Sequence, residues 1–124
     1  MAFDTGLFAW VEEALEPVGT VTMRRMMGGA TLYLDGTVFA IIVGDDLRLK
    51  SDAENDGAFD AAGCERFSYD RKDGTTATMN YRRAPGDVHD DPDALRHWAA
   101  LGIAAGRRAE AKKRPRRPRS SSRT

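Results

Sequence analysis

The 124-residue chain contains one cysteine, two histidines and no long apolar run, and each shortage excludes something. A lone thiol, Cys64, cannot form an internal disulfide, so nothing in the composition points to an oxidising compartment. The longest apolar stretch, Val38 to Val43, falls far short of the roughly 20 residues that span a bilayer. Asp4 and Glu12 stand where a secretory leader would carry a basic segment and then an apolar one. The expectation is a cytoplasmic protein that does not enter a membrane. Catalytic chemistry is equally short of material. Cys64, His89 and His97 are the only residues from which a nucleophile–base pair could be drawn, and their spacing gives no reason for them to meet. His89-Asp90-Asp91 offers nitrogen and oxygen ligands, but Asp91 is better explained as a helix cap, and no second cluster supports a metal. Gly28-Gly29 is followed by a further strand rather than by the helix that a phosphate loop opens, so it reads as turn chemistry. The sequence therefore predicts a non-enzyme with no cofactor and no metal.

Charge is present in quantity and is unevenly placed. The 19 basic and 19 acidic residues cancel. Nine of the bases, however, lie in the last eighteen residues: Arg107, Arg108, Lys112, Lys113, Arg114, Arg116, Arg117, Arg119 and Arg123, against Glu110 alone. The first 106 residues hold the other ten bases and eighteen acids, so a body of about −8 precedes a segment of about +8. This predicts one domain over 1–106 and a disordered basic tail over 107–124. The tail's prolines and serines leave too little apolar surface to offset the entropy of ordering.

Within the body, periodicity predicts an α+β fold in the order α-β-β-β-β-α-β-β-α, a meander plus a hairpin with helices packed on the sheet. Leu7, Val11, Ala14 and Val18 form one helical stripe over 3–18, capped by Asp4 or Thr5 and stopped by Pro17 and Gly19. Strands follow at 21–26, 30–34, 38–43 and 47–50. Asp35-Gly36 is a hairpin signal, because a type I′ turn needs positive φ at both central residues. Val38 to Val43 lacks alternation and reads as a central strand covered on both faces. Ser51-Asp52-Ala53-Glu54 has capping-box spacing ahead of a short helix that ends near Gly63. A second hairpin pairs 66–72 with 75–82 about Asp73-Gly74. Asp91 and Pro92 then open a last helix, with Leu95, Trp98 and Leu101 as its stripe and Ala94 and Ala105 beside it, fraying near Gly106.

A set of motifs carries a resemblance. Met23-Arg24-Arg25-Met26-Met27-Gly28-Gly29 leads into Leu32-Tyr33-Leu34-Asp35-Gly36 and Phe39-Ala40-Ile41. Leu47-Arg48-Leu49-Lys50 and Phe67-Ser68-Tyr69 follow, then Met79-Asn80-Tyr81-Arg82-Arg83-Ala84-Pro85 and Asp93-Ala94-Leu95-Arg96-His97-Trp98. In this order and spacing they resemble the N-terminal domain of the TfoX/Sxy family of bacterial competence regulators, over residues 5 to about 108. The resemblance implies a secretion-chaperone-like fold and a role beside the cyclic-AMP receptor protein in switching on DNA-uptake genes. Full-length members carry a second, C-terminal domain where this chain has its basic segment.

Two kinds of surface are candidates for function. Arg24, Arg25, Tyr33, Lys50, Tyr81, Arg82 and Arg83 form a candidate recognition patch, since aromatics and arginine dominate interface energetics. Against this, surface ion pairs are common and weak. The basic tail is suited to polyanions through counterion release, without sequence specificity; it could equally collapse on its own acidic body. The favoured reading is a non-catalytic adaptor that binds a transcription-related partner, of the cyclic-AMP receptor protein type, while the tail adds affinity for nucleic acid. A direct, non-specific DNA- or RNA-binding protein and a small enzyme are the alternatives. Exposed sheet edges or a sheet face could also support a homodimer.

Overall fold

The computed structural model describes residues 4–26, 29–70 and 72–113. Its elements are α1 (Thr5–Ala14), β1 (Val21–Met26), β2 (Gly29–Leu34), β3 (Thr37–Val43), β4 (Asp46–Lys50), α2 (Asp56–Ala61), β5 (Arg66–Asp70), β6 (Thr76–Arg83), a 3₁₀ turn (Gly86–His89) and α3 (Pro92–Lys113). The expected α+β order is found, with the 3₁₀ turn added. All pairings are antiparallel, in one open sheet of order β1-β2-β3-β4-β6-β5. No helix among the described residues is long and apolar enough to cross a membrane.

Local chemistry sets the element ends. Asp4 caps α1, accepting from the Leu7 amide at 3.0 Å. The helix closes at Ala14 rather than reaching Val18, because the residue before a proline avoids the helical region. Val18 consequently lies outside the stripe and is exposed. Asp35 and Gly36 take φ of 49° and 88°, the positive pair expected of their hairpin. The β1–β2 hairpin brings Met26 opposite Gly29, with Met27 and Gly28 outside the described residues. The capping box expected at Ser51 and Glu54 is displaced by one residue. Asp52 accepts from the Glu54 and Asn55 amides, and the Asn55 side chain accepts from the Asp52 amide at 2.8 Å. Asp52 and Asn55 thus satisfy each other reciprocally at the same three-residue spacing, as Asx side chains do when they bond nearby backbone amides. Asn55 also donates to the carbonyls of Lys50 and Leu101, tying β4 to α3. Asp91 caps α3 as expected, accepting from Asp93 and Ala94.

The helices cover one face of the sheet. Leu7 and Val11 from α1 and Leu15 at its C-cap meet Val21, Leu32, Leu34, Phe39, Ile42, Leu47 and Leu49 from the strands, with Phe59, Val88 and Leu95 closing the core. The stripe of α3 is only partly the one expected, with Leu95 and Ala105 buried as foreseen. Leu95, Ala99, Gly102, Ile103 and Gly106 are buried, whereas Trp98 and Leu101 lie half-buried on its flank. The cause is glycine. A Cβ at Gly102 would lie 2.6 Å from the Phe39 carbonyl oxygen, and one at Gly106 would overlap the Val38 carbonyl. The helix backbone thus rests directly on β3 where the β3–β4 pairing ends at Ala40 and Leu49, and bulky residues are pushed aside. Trp98 stacks on Phe59 at 5.5 Å between ring centroids.

Gly106 therefore does not fray the helix. α3 continues to Lys113, fastened by Arg108, which donates to Asp52 at 2.6 and 2.9 Å, and by Thr37, whose hydroxyl donates to Glu110 at 3.0 Å.

Candidate functional site

Strand alternation sends every second side chain to the face that the helices leave open. On β1 this is Arg24; on β2 Thr31 and Tyr33; on β4 Arg48 and Lys50; on β6 Tyr81 and Arg83. The registers place Arg24 opposite Thr31, Ile41 opposite Thr31 and Arg48, Arg48 opposite Arg83, and Lys50 opposite Tyr81. Ile41 is only 2% exposed although it lies outside the helix-side core. The central strand is thus covered on both faces as expected, on this side by flanking side chains rather than by a helix.

Cations on this face are seated on rings. The Arg48 guanidinium lies 4.6 Å from the Phe67 centroid, and the Lys50 ammonium 5.3 Å from that of Tyr81. Such contacts are worth about 0.5–1 kcal/mol in exposed settings and more when desolvated. Burial pushes the Arg48 pKa down and nearby Arg83 adds to this, while Asp46 and Glu65 pull the other way. Asp46 serves both guanidiniums, accepting from Arg83 at 2.7 Å and from Arg48 at 3.4 Å. Tyr81 is raised by burial, with Tyr33 adding to the effect. Two hollows open on the face. One of about 310 Å³ is lined by Thr22, Met23, Arg24, Tyr33 and Gly36. The other, about 270 Å³, lies against α3 and includes Thr31, Val38, Lys50, Tyr81 and Glu110.

The expected patch is therefore divided. Arg24, Tyr33, Lys50, Tyr81 and Arg83 share the open face. Arg25 alternates to the other side of the edge strand, where it is exposed. Arg82 is not a surface residue: it is 3% exposed and donates to Asp60, Asp56 and the Cys64 carbonyl at 2.8, 3.0 and 2.9 Å. A position two residues from Lys50 on an alternating strand is the signal that would have added Arg48 to the patch. Of the tail residues, Arg107, Arg108, Lys112 and Lys113 belong to α3, with Arg107 and Lys112 exposed and Arg108 paired with Asp52 and Glu54. Arg114, Arg116, Arg117, Arg119 and Arg123 lie outside the described residues.

A cavity of about 390 Å³ is lined by Cys64, Glu65, Arg83 and Pro85 among others, but by neither histidine. Burial raises the Cys64 thiol, only partly countered by Arg82, which favours the unreactive form. His89 and His97 are both exposed, the latter edge-on to Trp98.

Set against known families, residues 13–106 match the TfoX N-terminal domain. The chain belongs to that family. Within it, the chain is 33% identical over 67 residues to DNA transformation protein TfoX1 of Aliivibrio fischeri, a match covering 54% of this chain. It spans about a third of that relative's length, 32%. The matched TfoX N-terminal segment runs from the end of α1 to Gly106, and so takes in every strand of the open face.

Proposed function

We propose that this TfoX N-terminal domain is a non-catalytic adaptor in the control of DNA-uptake competence, and that the open face of its sheet docks on an acidic surface of a transcription regulator of the cyclic-AMP receptor protein type. Family membership supports the regulatory role, as does likeness to a protein named for DNA transformation. One observation carries the choice of surface: a row of cations, Arg24, Arg48, Lys50 and Arg83, lines the face without helices, two of them held on aromatic rings. Charge complementarity then favours an acidic partner. The helix layer presents the opposite sign, with Glu12 and Glu13 exposed on α1, Glu16 in the turn after it, and Asp90, Asp91 and Asp93 at the start of α3. Cations already seated on Phe67 and Tyr81 favour a carboxylate-bearing protein over bases that would need those rings bare.

Titration calorimetry with the purified regulator tests this. Arg24→Glu combined with Lys50→Glu should weaken binding at least ~10-fold through charge reversal, with the melting temperature unchanged. Unaltered affinity removes the open face from the interface. A complex containing only a second copy of this chain would replace the adaptor with a homodimer.

A weaker, non-specific affinity for nucleic acid is a second part of the reading, supported by exposed Arg107 and Lys112 on α3 and by the basic residues that follow. If about six phosphates are neutralised, the log–log salt slope is about −5. Because α3 continues to Lys113, the informative deletion removes 114–124 and spares the helix. Fluorescence anisotropy that keeps its full strength after this deletion would transfer binding to the folded body.

A further inference from the structure

Where β4 ends against the last turns of α3, a cavity of about 180 Å³ is lined by Lys50, Ser51, Asp52, Asn80, Arg108 and Lys112, with Ala105 and Ala109 between them. We infer that this cavity is a binding site for a phosphate group, independent of the adaptor reading. Three observations converge on it. Three of the lining residues are cations and one is an acid. That acid, Asp52, already has both oxygens engaged by Arg108 and by the Glu54 and Asn55 amides. The Ser51 hydroxyl is buried, with the residue 2% exposed, and has no hydrogen-bond partner among the described residues. A buried hydroxyl without a partner is uncommon in a folded protein and calls for a bound species. The remaining donors match an oxyanion. Asn80 uses its side-chain oxygen to accept from Arg66 at 3.3 Å, which leaves its amide group to donate. Arg108 spends Nε on Asp52 and Glu54 and one terminal nitrogen on Asp52, and its other terminal nitrogen has no partner among the described residues. Lys112 is exposed at the rim.

The excess of donors rejects a metal cation, and the charge favours an anion over a neutral ligand. With liquid water taking about 30 Å³ per molecule, the space suits a tetrahedral group with a few waters. The phosphate could belong to a small phosphorylated compound or to a nucleic-acid backbone, and the two are separated by experiment.

Inorganic phosphate is titrated into the intact chain at constant ionic strength, followed by amide chemical shifts, with chloride as the control. Saturable shifts centred on Ser51 and Asn80 are expected with phosphate alone. Ser51→Ala should weaken the affinity ~10-fold, the loss of a hydrogen bond to a charged group. Lys112→Ala, at an exposed position that folding does not need, should weaken it up to ~5-fold. Shifts that chloride reproduces, or that spread evenly over all basic residues, overturn the site. So does phosphate binding that neither variant weakens. A short DNA duplex added to the phosphate-loaded protein then identifies the source. Displacement of phosphate, lost in Ser51→Ala, assigns the site to backbone phosphate; duplex binding without displacement assigns it to a small phosphorylated compound. Absence of any duplex binding ends the nucleic-acid reading and leaves the phosphate titration standing.

Discussion

Arg82 and Arg83 are neighbours in β6 and point to opposite faces of one sheet, and they are used in opposite ways. Arg82 faces the helix-covered side, 3% exposed, and its three donated bonds hold α2 and the turn after it. Burial alone would depress its pKa, but Asp60 and Asp56 more than offset this and raise it. Arg83 faces the open side with its side chain 49% exposed, meeting one carboxylate, Asp46. One face consumes its charges in holding the fold together; the other displays them. The sequence holds both in one run, Tyr81-Arg82-Arg83, so only the alternation of the strand tells them apart.

The widest separation between the faces should come from removing these two guanidiniums in turn. Arg82→Ala leaves Asp60 and a buried carbonyl without this donor and Asp56 with Arg66 alone at 3.4 Å, and breaking such a buried pair costs about 3–5 kcal/mol. The partial exposure of both carboxylates, with side chains 28% and 68% accessible, lets water recover part of this and places the loss near the lower figure. Arg83→Ala should cost less than about 1 kcal/mol, as exposed pairs do. Urea unfolding of both variants decides it. Comparable losses would erase the distinction between a structural and a displaying face.

The same alternation explains how much of this could be read from the chain. The first hairpin was legible because Asp35-Gly36 demands positive φ at both residues and both adopt it; at Asp73-Gly74 only Gly74 does, and Asp73 instead closes the turn by accepting from the Thr75 amide. The cap at Asp91 and the two-sided burial of β3 were legible for similarly local reasons. Partner strands were less so: β4 pairs with β6 rather than β5, a choice made by tertiary packing and marked by no turn. The α3 stripe was only partly legible: Leu95 and Ala105 are buried as expected, whereas Trp98 and Leu101, which look buried by hydrophobicity, lie half-buried on the flank. The helix is instead seated by its smallest residues, and a glycine contact with a carbonyl leaves no hydrophobic signature. Arg82 was misplaced on the surface because its partners, Asp56 and Asp60, are more than twenty residues away in sequence. Of the residues singled out, Arg24, Tyr33, Lys50, Tyr81 and Arg83 share the open face, and Arg48, which was not among them, shares it too.

A second contrast sets two helical glycines against each other. Gly106→Ala drives a methyl group into the Val38 carbonyl and the Thr37 side chain, so α3 must lift off β3. Overpacking of this kind costs about 1–3 kcal/mol, and rigid backbone as the obstacle puts the net near 2 even after the roughly 1 kcal/mol that alanine gains in helix propensity. Gly57→Ala in α2 meets nothing within 4 Å and has no positive φ. It should stabilise by about 0.4–1 kcal/mol, chiefly by restricting the unfolded chain. Opposite signs in thermal melts are expected. A neutral Gly106→Ala would mean that α3 does not rest on the β3 backbone.

The smallest effect, and the one that tests where the folded body ends, lies in Asp52. Its carboxylate caps the turn before α2 and pairs with Arg108, beyond the boundary at 106 expected from composition. The hydrogen bond from Arg108 is the main reason its pKa lies below the usual carboxylate range; burial opposes this, and the Asn55 and Glu54 amides assist. A folded-state pKa below the unfolded one means that the stabilisation is complete above the unfolded value, about 3.9, and is lost as the pH falls through the lower, folded value. Asn can still accept at the cap, so Asp52→Asn isolates the ion pair and should cost about 0.5–1 kcal/mol near pH 7. Asp52→Ala removes the cap as well and should cost about 1 kcal/mol more. Urea melts of wild type and Asp52→Asn should converge as the pH is lowered past the folded pKa, because protonation then does to the wild type what the substitution does to the variant. A gap that stays constant down that range would show that the Asp52 charge contributes nothing to holding α3 beyond Gly106, and would leave that role to the Arg108–Glu54 and Thr37–Glu110 contacts.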